Sequence, residues 1–141
     1  VTMEKTFVML KSDGLKRGLL GEVIGRIERK GYKILALKVQ NLTKAQLDKH
    51  YHEHLDRPYF PSLVEYLTSG PVVHMVVGGD NVISGIRKLN GATDPEKAEM
   101  GSVRGDLAVS MTENLIHASD SLENAEREIA LYFSEDEIVS Y

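Results

Sequence analysis

One histidine in this chain stands where chemistry is expected. In Asn114-Leu115-Ile116-His117-Ala118-Ser119-Asp120-Ser121 an apolar run leads into His117, and a helix-start signal follows it. A histidine at such a strand-to-helix passage is held on an ordered scaffold, and its imidazole can act as a nucleophile near neutral pH. Glu128 lies further along the helix that Ser121 opens. A carboxylate there can orient one ring nitrogen while the other attacks. Lys11, Arg87, Thr93 and Arg104 together could hold a polyphosphate in front of the histidine. Arg104 is the most suggestive of these, because Gly101 and Gly105 flank it and glycine allows close approach to a phosphate. Taken singly, each Lys or Arg reads as surface charge, and His117 reads as a helix-entry cap.

The other histidines carry less. His50, His52 and His54 invite a metal reading, but their spacing does not put all three on one helix face. No Cys or carboxylate completes an obvious ligand set, so a solvated helix end is expected there. His74 sits in an apolar strand and reads as a packed core or interface residue.

The elements that must position these residues follow from periodicity. Lys5 to Lys11 reads as a buried strand, and Ser12-Asp13-Gly14 as a turn. Leu19, Leu20, Val23, Ile24 and Ile27 recur at helical spacing, with Gly31 as the C-cap. Tyr32 to Leu42 follows as a second strand. Thr43-Lys44-Ala45-Gln46 is a capping box opening a helix toward Tyr51. Pro61 suits the first turn of a helix bearing Leu63, Val64 and Leu67. Val72 to Val77 is a third strand, and Asn81 to Leu89 a helix. Asn90 to Gly105 is a long polar stretch of the kind that is often functional. Leu107 to Met111 is expected as the fourth strand. The helix opened by Ser121 turns Ala125, Ile129 and Tyr132 inward. There are too few strands for a doubly wound sheet. This order predicts an α+β fold with helices over a small mixed or antiparallel sheet.

Composition sets the outer bounds. The 141 residues suit one domain, here taken as 1–141, and 42% hydrophobic with 27% charged residues describes an ordinary globular chain. There is no Cys, so thiolate chemistry is excluded. Val1 to Lys5 has no signal-peptide layout, no apolar run approaches a membrane span, and a cytoplasmic protein is expected. The net charge of -4 argues against nonspecific nucleic-acid binding, which needs a strong basic field.

Eight segments together resemble the nucleoside diphosphate kinase family: Lys11-Ser12-Asp13-Gly14, Arg17-Gly18-Leu19, His50-Tyr51, Arg57-Pro58-Tyr59-Phe60, Ser69-Gly70-Pro71-Val72, Gly91-Ala92-Thr93-Asp94-Pro95, Val103-Arg104-Gly105-Asp106 and Asn114 to Ser121. The resemblance runs from about Glu4 to Tyr141. It implies a ferredoxin-like α/β sandwich, a four-stranded antiparallel sheet covered by helices. It also implies transfer of a terminal phosphate between nucleotides by a ping-pong route through a phosphohistidine at His117. On the same ground Glu128 would hold the ring, with Ser119 and Tyr51 beside it. Arg87, Thr93 and Arg104 would bind phosphates, Lys11 would reach the sugar hydroxyl and the transferring phosphate, and Asn114 would bind the sugar. Tyr59 would stack on the base and Met111 would pack its other face, while His54 falls near the phosphates. Mg²⁺ would arrive mainly on the nucleotide, with no protein metal cage. The partners implied are nucleoside di- and triphosphates and copies of the chain, as a hexamer or tetramer built from dimers.

The sequence departs from the family pattern at a few positions. Ser12 replaces a usual Pro, which predicts a looser turn at Lys11 and a more stable Ser12→Pro variant. Tyr59 replaces a usual Phe, Gly78 a Glu, Met100 a Pro and Ala118 a Gly. None of these removes a catalytic group. The rival reading is a non-catalytic nucleotide-binding or scaffold protein of the same fold.

Overall fold

The computed structural model describes residues 4–108, 110 and 114–141, with His54 described by its backbone alone. Strand β1 (Lys5–Leu10) is buried from Thr6 onward, as a strand covered on both faces must be. Where a turn is expected, the chain forms a short helix, α1 (Ser12–Lys16). Helix α2 (Leu20–Lys30) buries Val23 and Ile27 and ends at Gly31, whose φ of 103° is the left-handed conformation that glycine tolerates. Strand β2 (Lys33–Gln40) follows, then α3 (Lys44–His50), opened by the reciprocal Thr43–Gln46 capping box. Next come α4 (Phe60–Thr68), with Pro61 in its first turn, β3 (Val72–Gly78) and α5 (Val82–Asn90). The chain is completed by α6 (Val103–Leu107), β4 (Ile116–Ala118) and α7 (Leu122–Tyr132), the last capped by Ser121.

The strands form one sheet in the order β2-β3-β1-β4, and every neighbouring pair is antiparallel. β1 and β2 therefore run the same way with β3 between them, and β3 and β4 run the same way with β1 between them. Two interleaved βαβ units of this kind make the ferredoxin-like α+β sandwich. Val8, Leu10, Val73, Met75 and Val77 face α2 and α5 on one side. Phe7, Met9, Val72 and Val76 face α3, α4 and α7 on the other, through Leu47, Leu67 and Tyr132. Two apolar layers thus sandwich the sheet, and each fully buried Val, Leu or Phe adds roughly 1.5–3 kcal/mol. β2 is an edge strand, and Leu37 and Val39 on it are about half exposed, at 48% and 57%. Among the described residues no helix is long and apolar enough to cross a membrane.

The fourth strand is not where the sequence places it. Val103–Leu107 is helical because the Ser102 hydroxyl caps it, accepting from the Gly105 N–H. Ala108 is extended but belongs to no strand, and Met111 lies outside the described residues. A short apolar run does not distinguish strand from helix by periodicity, and the real β4 is only three residues long with a histidine at its centre.

Candidate active site

The sheet order places β4 beside the C-terminal end of β1, with His117 opposite Met9. Opposed residues share a sheet face, so His117 lies on the Met9 side, where α7 packs. There Glu128, about two turns into α7's amphipathic face, is 3% exposed. The His117 Nε2 donates to Glu128 Oε1 at 2.7 Å, and the Ser119 hydroxyl donates to the same oxygen at 3.1 Å. Burial opposes ionisation of Glu128, but the hydrogen bonds from His117 and then His50 outweigh it and hold the carboxyl well below the usual carboxylate range. A carboxylate only accepts, so Nε2 carries the ring proton of a neutral imidazole. Nδ1 is left with its lone pair, and no hydrogen bond reaches it among the described residues.

His117 opens onto a cleft of about 790 Å³. Lys11, Tyr51, Tyr59, Arg87, Thr93, Arg104, Asn114 and Glu128 line it too, so among the site residues expected from the sequence only Ser119, which is buried behind the cleft, and Met111 and His54, which lie outside the described side chains, are not seen lining it. Lys11 stands at the end of β1 and donates from Nζ to Asn114 Oδ1 at 2.7 Å. Burial, then the charge of Arg104, lowers its pKa to about 8. Asn114 also donates weakly to the Thr93 carbonyl at 3.5 Å. Tyr59, at the start of α4, is half exposed on the rim. Tyr51 stacks on the His50 ring at 4.4 Å, and burial pushes its phenol up.

Arg104 is placed differently from the flexible phosphate arm that its glycine neighbours suggest. Its guanidinium is spent on backbone: Nη1 to Gly91 O at 2.9 Å, Nη2 to Ile116 O, and Nε to Asn114 O at 3.3 Å. Burial and then the charge of Arg87 lower its pKa to about 10. The Asn114 and Ile116 carbonyls flank Leu115, whose φ of 77° is unusual for a branched residue and costs on the order of 1–3 kcal/mol. The Leu115 carbonyl itself accepts the Lys11 N–H at 2.8 Å. Arg104 and Lys11 thus brace the bent backbone that aims His117. Gly105 serves packing: a Cβ there would collide with the Glu99 carbonyl.

His50 corrects the expectation of a solvated helix end. It is 3% exposed, and its Nε2 lies 3.4 Å from Glu128 Oε1 and 3.3 Å from His117 Nε2. Its Nδ1 is 2.8 Å from the Tyr132 hydroxyl. Burial lowers its pKa to about 4, so it is neutral near pH 7. His52 is exposed, and the side chain of His54 lies outside the described residues, as does Met111. His74 is fully buried, with Nδ1 3.0 Å from Gln40 Oε1, as its strand setting predicts. His50, His117 and Glu128 bring their ligand atoms within 4.8 Å of one another. Two nitrogens and one oxygen do not suit Mg²⁺, which prefers oxygen. His50 and Tyr132 are not marked as site residues by the sequence. The inward face of α7 signalled that Tyr132 is buried, but nothing in the spacing joined it to a residue on α3.

The profile described as nucleoside diphosphate kinase matches residues 4–138. The chain is 55% identical over 139 residues to the nucleoside diphosphate kinase of Archaeoglobus fulgidus, covering 99% of this chain and 92% of that one. It is 50% identical over 137 residues to the Thermus thermophilus enzyme of the same name, covering 97% and 100%. Among solved structures, a halophilic nucleoside diphosphate kinase from Halobacterium salinarum in complex with CDP superposes with a TM-score of 0.96. It is 44% identical, with 99% of this chain and 93% of that one covered.

Proposed function

The chain belongs to the nucleoside diphosphate kinase family and is an enzyme of that activity, and we propose that it works through a phosphohistidine at Nδ1 of His117. One observation carries this reading. Glu128 accepts the hydrogen bond of the Nε2–H at 2.7 Å, which leaves Nδ1 as the nucleophile in a side chain that lines the cleft. In the first half-reaction Nδ1 attacks the terminal phosphorus of a nucleoside triphosphate. The N–P bond forms as the bridging P–O bond breaks, and the diphosphate leaves with that oxygen. In the second, a terminal oxygen of another diphosphate attacks the same phosphorus and the N–P bond breaks. One cleft serving donor and acceptor in turn gives ping-pong kinetics. Throughout, Glu128 holds the Nε2 proton and stabilises the charge that spreads over the ring.

Phosphoryl transfer depends mainly on positioning and on neutralised oxygens. The ammonium of Lys11 and the guanidiniums of Arg87 and Arg104 supply positive charge at the cleft, with the Thr93 hydroxyl beside them and Asn114 placed for the sugar. For Arg104 this needs at least one carbonyl to be exchanged for a phosphate oxygen. The half-exposed ring of Tyr59 suits stacking on any base, since every base has a π-face. Binding of CDP by the halobacterial relative is in keeping with that tolerance. Mg²⁺ would come with the nucleotide and neutralise its phosphates. The exposed apolar pair Leu37 and Val39 on the β2 edge supports self-association, here proposed as a hexamer or tetramer of dimers.

Incubation with γ-labelled ATP and Mg²⁺, followed by a GDP chase, tests the reading. Acid-labile label on His117 that moves to GDP is expected, and His117→Ala should bind ADP yet take no label. Turnover retained by His117→Ala would overturn the mechanism.

A further inference from the structure

The Tyr132 hydroxyl is within hydrogen-bond reach of His50, and His50 touches both members of the His117–Glu128 pair. We propose that Tyr132 is a positioning residue: its hydroxyl fixes the tautomer of His50, so that His50 supports Glu128 without competing for the proton of His117. The proposal rests on the reading of His117 as the nucleophile.

What matters is which nitrogen of His50 bears its proton. Its two neighbours differ in kind. Glu128 Oε1, 3.4 Å from Nε2, is an acceptor only, whereas the Tyr132 hydroxyl, 2.8 Å from Nδ1, can donate. With Tyr132 donating to Nδ1, the proton sits on Nε2 and points to the carboxylate, and both contacts are satisfied. The other tautomer sets the Nε2 lone pair against the carboxylate. It also sets that lone pair 3.3 Å from His117 Nε2, where it would draw the ring proton away from Glu128. The ring of His117 would then have two competing anchors, and Nδ1 would lose its fixed aim. His50 is 3% and Tyr132 5% exposed, so water does not readily replace the lost partner. Phe7 stacks on Tyr132 with ring centroids 5.1 Å apart, and His74 lies 4.1 Å away on the same ring, which together hold the hydroxyl in place. A wrong tautomer in a histidine network is costly because the ring keeps its position but loses its function.

The test is Tyr132→Phe, read by the single-turnover rate of His117 phosphorylation, by nucleotide affinity and by ring ¹⁵N NMR of His50. The expected result is a fall of about tenfold or more in the phosphorylation rate. Nucleotide affinity should stay within about twofold, since the hydroxyl touches no nucleotide-binding side chain, and the His50 ring shifts should lose the single-tautomer pattern. His50→Gln gives an independent check, because its carbonyl can accept from Tyr132 while its amide donates to Glu128. It should keep most of the rate, whereas His50→Leu should lose it as Tyr132→Phe does. A wild-type rate in Tyr132→Phe, an unchanged His50 tautomer, or equal losses in His50→Gln and His50→Leu would each overturn the proposal. A wild-type enzyme that takes no label on His117 would instead overturn the underlying mechanism, so the two failures are distinguishable.

Discussion

Lys11 ties charge to pH at the level of a single side chain. Burial and the neighbouring Arg104 bring its pKa down to about 8, so the ammonium proposed to serve the phosphates is lost as pH rises through that value. The expected outcome is a kcat/KM that falls on the alkaline side with a midpoint near that pKa. In Lys11→Arg the guanidinium stays charged, so the fall should vanish even though the overall rate is lower. A wild-type profile that stays flat through this range would remove Lys11 from that role. The residues proposed to carry the chemistry were largely legible in the sequence. His117, Ser119 and Glu128 lie on one strand-to-helix passage, where local spacing fixes their geometry. His50 and Tyr132 were not, because their contact spans 82 positions and depends on how α3 packs against α7. The task of Arg104 was also hidden, since no local signal says that three carbonyls converge on its guanidinium.

At the scale of elements, α1 shows how a departure in sequence is accommodated. Ser12, where the resemblance leads one to expect a proline, is 1% exposed and begins a helix. Its hydroxyl donates to the Tyr66 carbonyl at 3.0 Å and lies 3.2 Å from the Ser69 hydroxyl, while the Tyr66 hydroxyl donates to Asp13. These bonds tie the Lys11 end of β1 to α4, the helix that follows Tyr59. The looser turn expected from the sequence is thus replaced by an anchored one. Ser12→Ala should lower stability by about 1 kcal/mol. Ser12→Pro gains roughly 0.4–1 kcal/mol from a stiffer unfolded chain but loses the same bonds. Its melting midpoint should therefore be no higher than that of the wild type, and a clear rise by calorimetry would favour the sequence expectation instead. Most elements were legible because caps and periodicity are local: the Thr43–Gln46 box, Gly31 and Ser121 all act as read. α6 and β4 were not, because one capping hydroxyl and pairing to β1 decide them against weak local preference.

For the whole molecule, the sheet order decides which surfaces remain open. β3 and β1 are enclosed, and β2 presents Leu37 and Val39 at an edge that pairs with no further strand among the described residues. Monomeric proteins commonly blunt such an edge with charge. Val39→Lys should accordingly shift the proposed assembly toward smaller species in sedimentation velocity, with the fold intact by circular dichroism. An unchanged assembly would place the contact elsewhere. The same order sets β4 at the opposite edge, joined to the sheet by three residue pairs and to the rest of the chain by Arg104 across the bend at Leu115. Amides in so short an edge strand exchange through local opening, which needs far less free energy than unfolding the sheet. A deuterium-uptake time course would therefore see the strand of the proposed nucleophile breathe well before the interior strands, and would report directly on how firmly Arg104 grips it.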